Sequence, residues 1–350
     1  MLYIDSNQEQ LRNSMQGQIF KIHSDFYYVE TQEGVFECKI TGVLKKRKDN
    51  IVVGDFVELE QTNQNSKQAF IANVLKRNTY IPRPKVANID QIIIVSALKE
   101  PDLDFEQLNR YLAFCEYYEL HPILCFNKND LEGEEAIIAK IQNIYAPLKY
   151  RIIFTSAIEG NGIDKFKELL NDKITVLCGS SGVGKSSLIN AINPNLNLKT
   201  KEVSEKTERG THTTRHCEII SISKSARIVD TPGFSQLKFD FLMPADVSLL
   251  FREIVNIQQN NGACKFSDCV HEQEIGCKVI ENKNLMDETR YNSYLQFVKE
   301  AKEYKKQVTY GGTKTESKSK FINDKHVTKI SSKKRQISRR KSNQQIDKEL

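Results

Sequence analysis

Three kinds of hydrophobic patterning succeed one another along the chain. From about residue 16 to 80, short runs rich in β-branched and aromatic residues alternate with turn residues. Ile19–Ile22, Tyr27–Val29, Val35–Ile40 and Phe56–Leu59 read as strands, punctuated by Asp25, Gly34, Asn50 and the pair Gly54-Asp55. About five strands in some 60 residues predict a small β-barrel, most naturally an OB-fold. Lys45-Lys46-Arg47-Lys48 falls between two of them and predicts a basic loop of the kind such barrels offer to nucleic acid.

From Asn88 the pattern changes to strand–helix alternation. Gln91–Ser96 is a continuous apolar run suited to a central parallel strand, and Pro122–Phe126, Arg151–Phe154, Lys173–Cys178 and Ala226–Val229 come after it as strands. Helical spacing lies between them at Asp104–Tyr118, Ala136–Tyr145 and Ile163–Leu170, and opens again at Ser187–Ile192. In the first of these helices Phe105, Leu108, Leu112 and Cys115 share one face. The alternation predicts a doubly wound α/β sheet with its ligand loops at the carboxyl ends of the strands. Farther on, Ala245–Gln259 and Asp287–Lys306 have helical spacing.

Composition adds limits. A hydrophobic content of 39%, with 17 Phe and 13 Tyr, supports real cores. No run approaches the roughly 18 apolar residues of a membrane span, and the start lacks a basic segment followed by an apolar one. A cytoplasmic protein with no membrane partner is expected. The net charge of +6 conceals an asymmetry: residues 299–341 hold 15 Lys+Arg against 4 Asp+Glu, or +11, which leaves the remainder at −5. Such basic blocks are commonly disordered arms that meet nucleic acid. Eight cysteines are too sparse for a disulfide scaffold, and three of them crowd into residues 264–277, which suggests a metal.

The chemistry centres on Gly179-Ser180-Ser181-Gly182-Val183-Gly184-Lys185-Ser186, a G-x-x-x-x-G-K-S phosphate loop set between a strand and a helix. Its glycines let successive N–H groups converge on phosphate oxygens. Lys185 is expected to reach the β- and γ-phosphates, Ser186 to ligate Mg²⁺, and Ser187 to open the helix whose N-terminus faces the phosphates. The base is read from two earlier loops. Asn127-Lys128-Asn129-Asp130 fits N-K-x-D: the Asp130 carboxylate can accept the N1–H and N2–H of guanine, Asn127 can brace the phosphate loop, and the Lys128 stem can lie along the ring. Ser156-Ala157 ends the next strand, with the Ala157 N–H aimed at guanine O6. The ligand expected is GTP or GDP.

After the phosphate loop, Arg209-Gly-Thr-His-Thr-Thr214 has the character of a switch, with a threonine hydroxyl available to Mg²⁺; Thr214 is the first choice and Thr213 the second. Asp230-Thr-Pro-Gly233 fits D-x-x-G, with Asp230 toward Mg²⁺ and the Gly233 N–H toward the γ-phosphate. Phe234 stands where Ras-like enzymes carry a water-orienting Gln, so hydrolysis should be slow without another group. Gly182 stands where potassium-dependent GTPases carry an Asn, so that mechanism lacks its ligand. The motif order is permuted, since N-K-x-D and Ser-Ala precede the phosphate loop and D-x-x-G leads onward. The segment beyond D-x-x-G contains Cys264-x₄-Cys269-x-His271-x₅-Cys277, a Cys₃His set suited to one structural Zn²⁺.

The permuted order, R-G-x-H-T-T, D-T-P-G and C-x₄-C-x-H-x₅-C together resemble the ribosome small-subunit-dependent GTPase RsgA (YjeQ) family over about residues 16–306. The resemblance implies an OB-fold domain (1–82), a circularly permuted P-loop GTPase domain (83–243) and a helical zinc domain (244–310), with the basic tail (311–350) outside the matched part. It also implies a monomeric GTP hydrolase that binds the small (30S) ribosomal subunit, with its 16S-type rRNA and proteins, late in maturation and is released on hydrolysis. His212, the histidine of R-G-x-H-T-T, is the catalytic group implied, beside Lys185 and Thr214. A GTP-gated RNA-binding scaffold and a metal-handling GTPase are the rival readings; the closed ligand set argues against the second.

Overall fold

The computed structural model describes residues 15–47, 50–82, 84–131, 133, 135–198, 217–230, 237, 239, 241–310, 319–322 and 325–328. Strand β1 (Met15–His23) pairs antiparallel with β2 (Phe26–Thr31), and β2 with β3 (Gly34–Ile40). β3 runs parallel to β5 (Gln68–Val74), β5 antiparallel to β4 (Phe56–Asn63), and β4 returns to β1. The ring is the closed five-stranded barrel the sequence predicts, with the fifth strand now located. Ile19, Val29, Phe36, Val57 and Ile71, all fully buried, fill its interior.

The expected basic loop is instead, over its described part, a short helix α1 (Gly42–Arg47). Leu44 is buried with the barrel core, so one helical turn buries the apolar residue while Lys45, Lys46 and Arg47 stay exposed.

A hairpin of β6 (Tyr80–Pro82) and β7 (Lys85–Ala87) leads into the second part of the sheet. There β10 (Arg151–Phe154), β9 (Pro122–Asn127), β8 (Gln91–Ala97), β11 (Ile174–Cys178) and β13 (Arg227–Asp230) lie side by side and parallel. Successive residues of β8 serve opposite layers. Ile92 and Ile94 pack with Leu112 of α2 (Phe105–Tyr117) and Ile141 of α3 (Glu135–Tyr145). Ile93 and Val95 pack with Phe166 of α4 (Ile163–Leu170) and Leu188 of α5 (Lys185–Ile192). Burial on both faces explains why these strands read as unbroken apolar runs.

Strand β12 (Glu218–Ser221), antiparallel to β13, stands outside the strands expected from the sequence. Its outer edge pairs with barrel strand β1 at Lys21↔Glu218, so one 11-stranded sheet runs through both the barrel and the α/β part. β2 follows β1 from Gly17 to His23 with a register shift between Ile19 and Lys21, while the other edge of β1 passes from β4 at Met15–Gln18 to β12 at Lys21.

The chain clusters into two compact units divided after Leu237. In the second, the helix expected over 245–259 is two pieces: a 3₁₀ segment Pro244–Leu250, then α6 (Arg252–Asn261). Phe251 between them is extended because its fully buried ring packs edge-on to Tyr294 and against Phe297. Helix α7 (Lys278–Glu281) and the long α8 (Glu288–Tyr310) come next. Arg290 and Glu253 form a buried bidentate pair at 2.6 and 2.9 Å that ties α8 to α6. Within the region expected to be a structureless tail, two short strands, β14 (Ser319–Ile322) and β15 (Lys325–Thr328), pair antiparallel. The β-branched and aromatic residues Phe321, Ile322, Val327 and Thr328, on either side of Asn323-Asp324, supply the pattern for it. Among the described residues no helix is long and apolar enough to cross a membrane.

Candidate nucleotide and metal sites

The parallel order β10-β9-β8-β11 brings the carboxyl ends of β9, β10 and β11 to one edge, and with them the three predicted loops. The phosphate loop leaves β11 after Cys178 and enters α5 at Lys185. Its shape requires glycine at two places. Gly179 has φ +144°, and a Cβ there would sit 2.0 Å from the Val95 carbonyl oxygen; Gly184 has φ +94°, and a Cβ would sit 2.2 Å from Asn127 Nδ2. The loop therefore rests directly on the end of β8 and on the first residue of N-K-x-D. Gly184 precedes α5 with no side-chain cap, which leaves the first-turn N–H groups facing the loop.

Lys185 Nζ donates to the carbonyls of Gly179 (2.8 Å) and Ser180 (2.7 Å). Burial holds its ammonium below the usual lysine range. Ser181 is exposed, Val183 is buried, and Gly182, Ser186 and Ser187 are half-buried along the loop and the first turn of α5. The brace expected of Asn127 is present: its Nδ2 donates to the Val183 carbonyl at 3.0 Å, and the residue is almost wholly buried. Its Oδ1 accepts from Thr155 Oγ1 (3.2 Å) and from the Ala157 N–H (3.3 Å). The Ala157 N–H thus points at Asn127 here, where the sequence directed it at guanine O6. Ser156 is fully buried and stabilises the turn by accepting from the Glu159 N–H at 3.0 Å.

Asp130 supplies the test of fit for guanine. Its Oδ1 is buried without a hydrogen-bond partner, an arrangement that costs free energy unless a donor arrives. Lys128 Nζ donates to the Glu100 carbonyl. Thr155 is a contributor that sequence reasoning missed: it orients Asn127 from the neighbouring strand, and only the pairing of β9 with β10 reveals that. Arg209, His212, Thr213, Thr214, Gly233 and Phe234 lie outside the described residues. The backbone of Asp230 ends β13, in register with Glu218.

The second unit brings its four predicted ligands together. Cys264 Sγ, Cys269 Sγ, His271 Nδ1 and Cys277 Sγ all lie within 4.8 Å of one another. His271 Nδ1 is 3.6, 3.3 and 3.3 Å from the three sulfurs in chain order, and Cys264 Sγ is 3.8 Å from Cys277 Sγ. Tetrahedral zinc bonds of about 2.3 Å to sulfur imply edges of about 3.8 Å, which these separations match. Burial lowers the His271 pKa and so keeps its imidazole neutral, the form a metal takes; the same burial pushes the Cys269 thiol up to about 12, where only a bound cation would favour the thiolate. The cluster is supported from α8: Tyr291 and Tyr294 donate to the carbonyls of His271 (2.9 Å) and Val270 (2.7 Å). Glu274 accepts from three N–H groups of the loop, those of Val270, Glu272 and Gln273. His271 Nε2 lies 3.3 Å from the Gln258 carboxamide, a contact that fixes the ring.

Known proteins share this anatomy. Residues 16–71 match the family described as RsgA N-terminal domain and residues 71–240 that described as RsgA GTPase, while residues 174–309 match a family described as 50S ribosome-binding GTPase. The chain is 40% identical over 296 residues to the small ribosomal subunit biogenesis GTPase RsgA of Caldanaerobacter subterraneus subsp. tengcongensis, covering 83% of this chain and 97% of that protein. It is 39% identical over 288 residues to its counterpart in Alkaliphilus metalliredigens, covering 82% and 97%. The crystal structure of YjeQ from Thermotoga maritima superposes with a TM-score of 0.70 at 34% identity, covering 83% of this chain and 99% of that one. The structure of YloQ, described as a circularly permuted GTPase, gives a TM-score of 0.68 at 30% identity, covering 83% and 96%.

Proposed function

The chain belongs to the RsgA family of GTPases, and from that membership we propose that it binds the small ribosomal subunit, acts in its late maturation and hydrolyses GTP as a release switch stimulated by that particle. The observation that carries the nucleotide part is the convergence of Asn127, Asp130 with its unpartnered Oδ1 and the glycine-shaped loop 179–186 at one sheet edge. The family named for the 50S particle matches only from the phosphate-loop strand onward. Relatives that align over nearly their whole length carry the small-subunit name, and we follow them.

Asp130 reads guanine: an acceptor-only carboxylate suits the adjacent N1–H and N2–H donors, a pair that adenine cannot supply in that arrangement. Lys128 and Ala157 flank the base. The backbone N–H groups of 180–187 cradle the phosphates, and Lys185 exchanges its two carbonyl acceptors for the more strongly charged phosphate oxygens. Ser186 and Thr214 would hold Mg²⁺, with Asp230 behind it; the ion supplies charge neutralisation at the β- and γ-phosphates. His212 would orient the attacking water, whose oxygen bonds to the γ-phosphorus as the bond to the β–γ bridging oxygen breaks, giving GDP and phosphate. Gly233 would report the γ-phosphate. In the second unit Cys264, Cys269, His271 and Cys277 would hold one structural Zn²⁺. Barrel, zinc domain and basic tail would supply the contacts to rRNA, and the exposed triplet Lys45–Arg47 on α1 is the barrel's first candidate.

GTP turnover measured with and without purified small subunits tests this. Stimulation by at least about tenfold is expected, within the roughly 10³–10⁵-fold that completing a phosphoryl-transfer site can give. An unchanged rate would end the release-switch assignment.

A further inference from the structure

The two segments predicted to respond to the γ-phosphate, 209–214 and 230–236, are joined by one hairpin, β12–β13. Barrel strand β1 holds the outer edge of that hairpin. Lys21 pairs in register with Glu218, and Glu218 pairs in register with Asp230, so a single rung crosses from the barrel to the carboxyl end of β13. At about 4.8 Å per strand, the backbone of Lys21 lies about 10 Å from that of Asp230.

Side chains fasten the same edge. Lys21 Nζ lies 3.0 and 3.1 Å from the two Glu218 carboxylate oxygens. Arg227, three residues before Asp230, donates to Gln18 Oε1 at 3.1 Å and to Glu30 Oε2 at 3.3 Å. Gln18 is itself buried and donates to the Gly54 carbonyl at 3.1 Å, so Arg227 is tied into the barrel wall.

We infer that Lys21, Glu218 and Arg227 are positioning residues through which the barrel and the GTP site sense each other. The inference rests on the assignment of GTP to the α/β part, and not on the ribosomal partner. A ligand can shift a second site only through contacts that differ between two states, and the effect must be reciprocal. The tether has the strength such an element needs: one register pair and a few polar contacts between partly exposed side chains, each weak enough to be remade between states. The rung passes through the backbone, and the Lys21–Glu218 and Arg227–Gln18 contacts hold that edge in register, so a displacement of Asp230 reaches β1 only while they keep the strands paired.

Amide hydrogen exchange of β1 in the full chain, loaded with GDP or with a non-hydrolysable GTP analogue, tests it. Wild-type protein should show a difference of about threefold or more at residues 18–22 between the two states. Lys21→Glu and Glu218→Lys should each remove the difference, the combined swap K21E/E218K should restore it, and Arg227→Gln should diminish it. The milder Lys21→Ala and Glu218→Ala keep the backbone rung and should give the same direction even if a charge reversal fails to fold. Equal exchange in the two states of the wild type, or a difference that survives every one of these substitutions, would overturn the inference. Small-subunit stimulation, measured in parallel, fails separately: its absence ends the ribosomal assignment and leaves the exchange result standing.

Discussion

The nucleotide site draws its groups from three strand ends spread over residues 127–186, whereas the metal site draws four ligands from 14 consecutive residues, Cys264–Cys277. In the first, parts distant in sequence hold one another: Asn127 is held by Thr155 and Val183, and the loop rests on the backbone of β8. Among the described residues its frame is held in place before any ligand arrives, and a buried oxygen, Asp130 Oδ1, faces a missing donor. In the second, three thiols and an imidazole lie within 4.8 Å of one another, a donor set complementary to a single cation. The nucleotide site is preorganised by packing and should survive without its ligand; the metal site should not survive without its ion.

Metal removal should separate the two most sharply. Chelation, or Cys277→Ser, should cost the second unit about 10 kcal/mol of zinc-linked folding free energy. Near-UV circular dichroism and proteolysis within 244–310 would show the loss, while GDP affinity at residues 127–186 stays. If both regions melt together, the contrast is wrong. Next in size is the buried pair Arg290–Glu253, whose side chains are 0% and 5% exposed. Glu253→Gln should destabilise that unit by about 3–5 kcal/mol, read as a shift in its denaturation midpoint.

The nucleotide site should respond in affinity more than in fold. Asp130→Asn should weaken GTP binding by roughly 10²–10³-fold, since a carboxylate acceptor becomes partly a donor facing donors. Xanthosine triphosphate, with an oxygen in place of the exocyclic amine, should gain relative to GTP in the same titration. Asn127→Ala should cost about 1–3 kcal/mol in thermal stability, because the Val183 carbonyl and Thr155 hydroxyl lose their partner, and GTP affinity should fall with it. The smallest effect belongs to Lys21→Ala. Its ion pair is more than a third exposed on both sides and should be worth about 0–1 kcal/mol in urea denaturation. A larger loss would mean that the barrel and the α/β part depend on that rung for stability as well as for communication.

Much of this was legible in the residues. Spacing alone placed the phosphate loop, N-K-x-D and the Cys₃His set, because phosphate cradling, guanine recognition and tetrahedral ligation each need particular side chains at short, fixed intervals. Helices α3 and α4 and strand β10 were legible because their apolar positions keep to one clear period. Strand β12 was missed because four residues after a polar segment carry too little period to declare a strand; it exists because β13 and β1 hydrogen-bond to it on both edges. The break at Phe251 was missed for a similar reason, since the periodicity of 245–259 runs on while a buried aromatic cluster decides the backbone there.

The sequence by itself determined a guanine-nucleotide site and a Cys₃His cluster suited to a metal, from motifs whose chemistry is local. Only the tertiary structure decided how those parts are connected. The Thr155–Asn127–Val183 chain of hydrogen bonds depends on the order of parallel strands, and the rung Lys21–Glu218–Asp230 depends on an edge pairing between segments about 200 residues apart. Backbone edges carry no side-chain signature, so a strand's partner across the sheet is fixed by topology and packing rather than by any pattern readable along the chain.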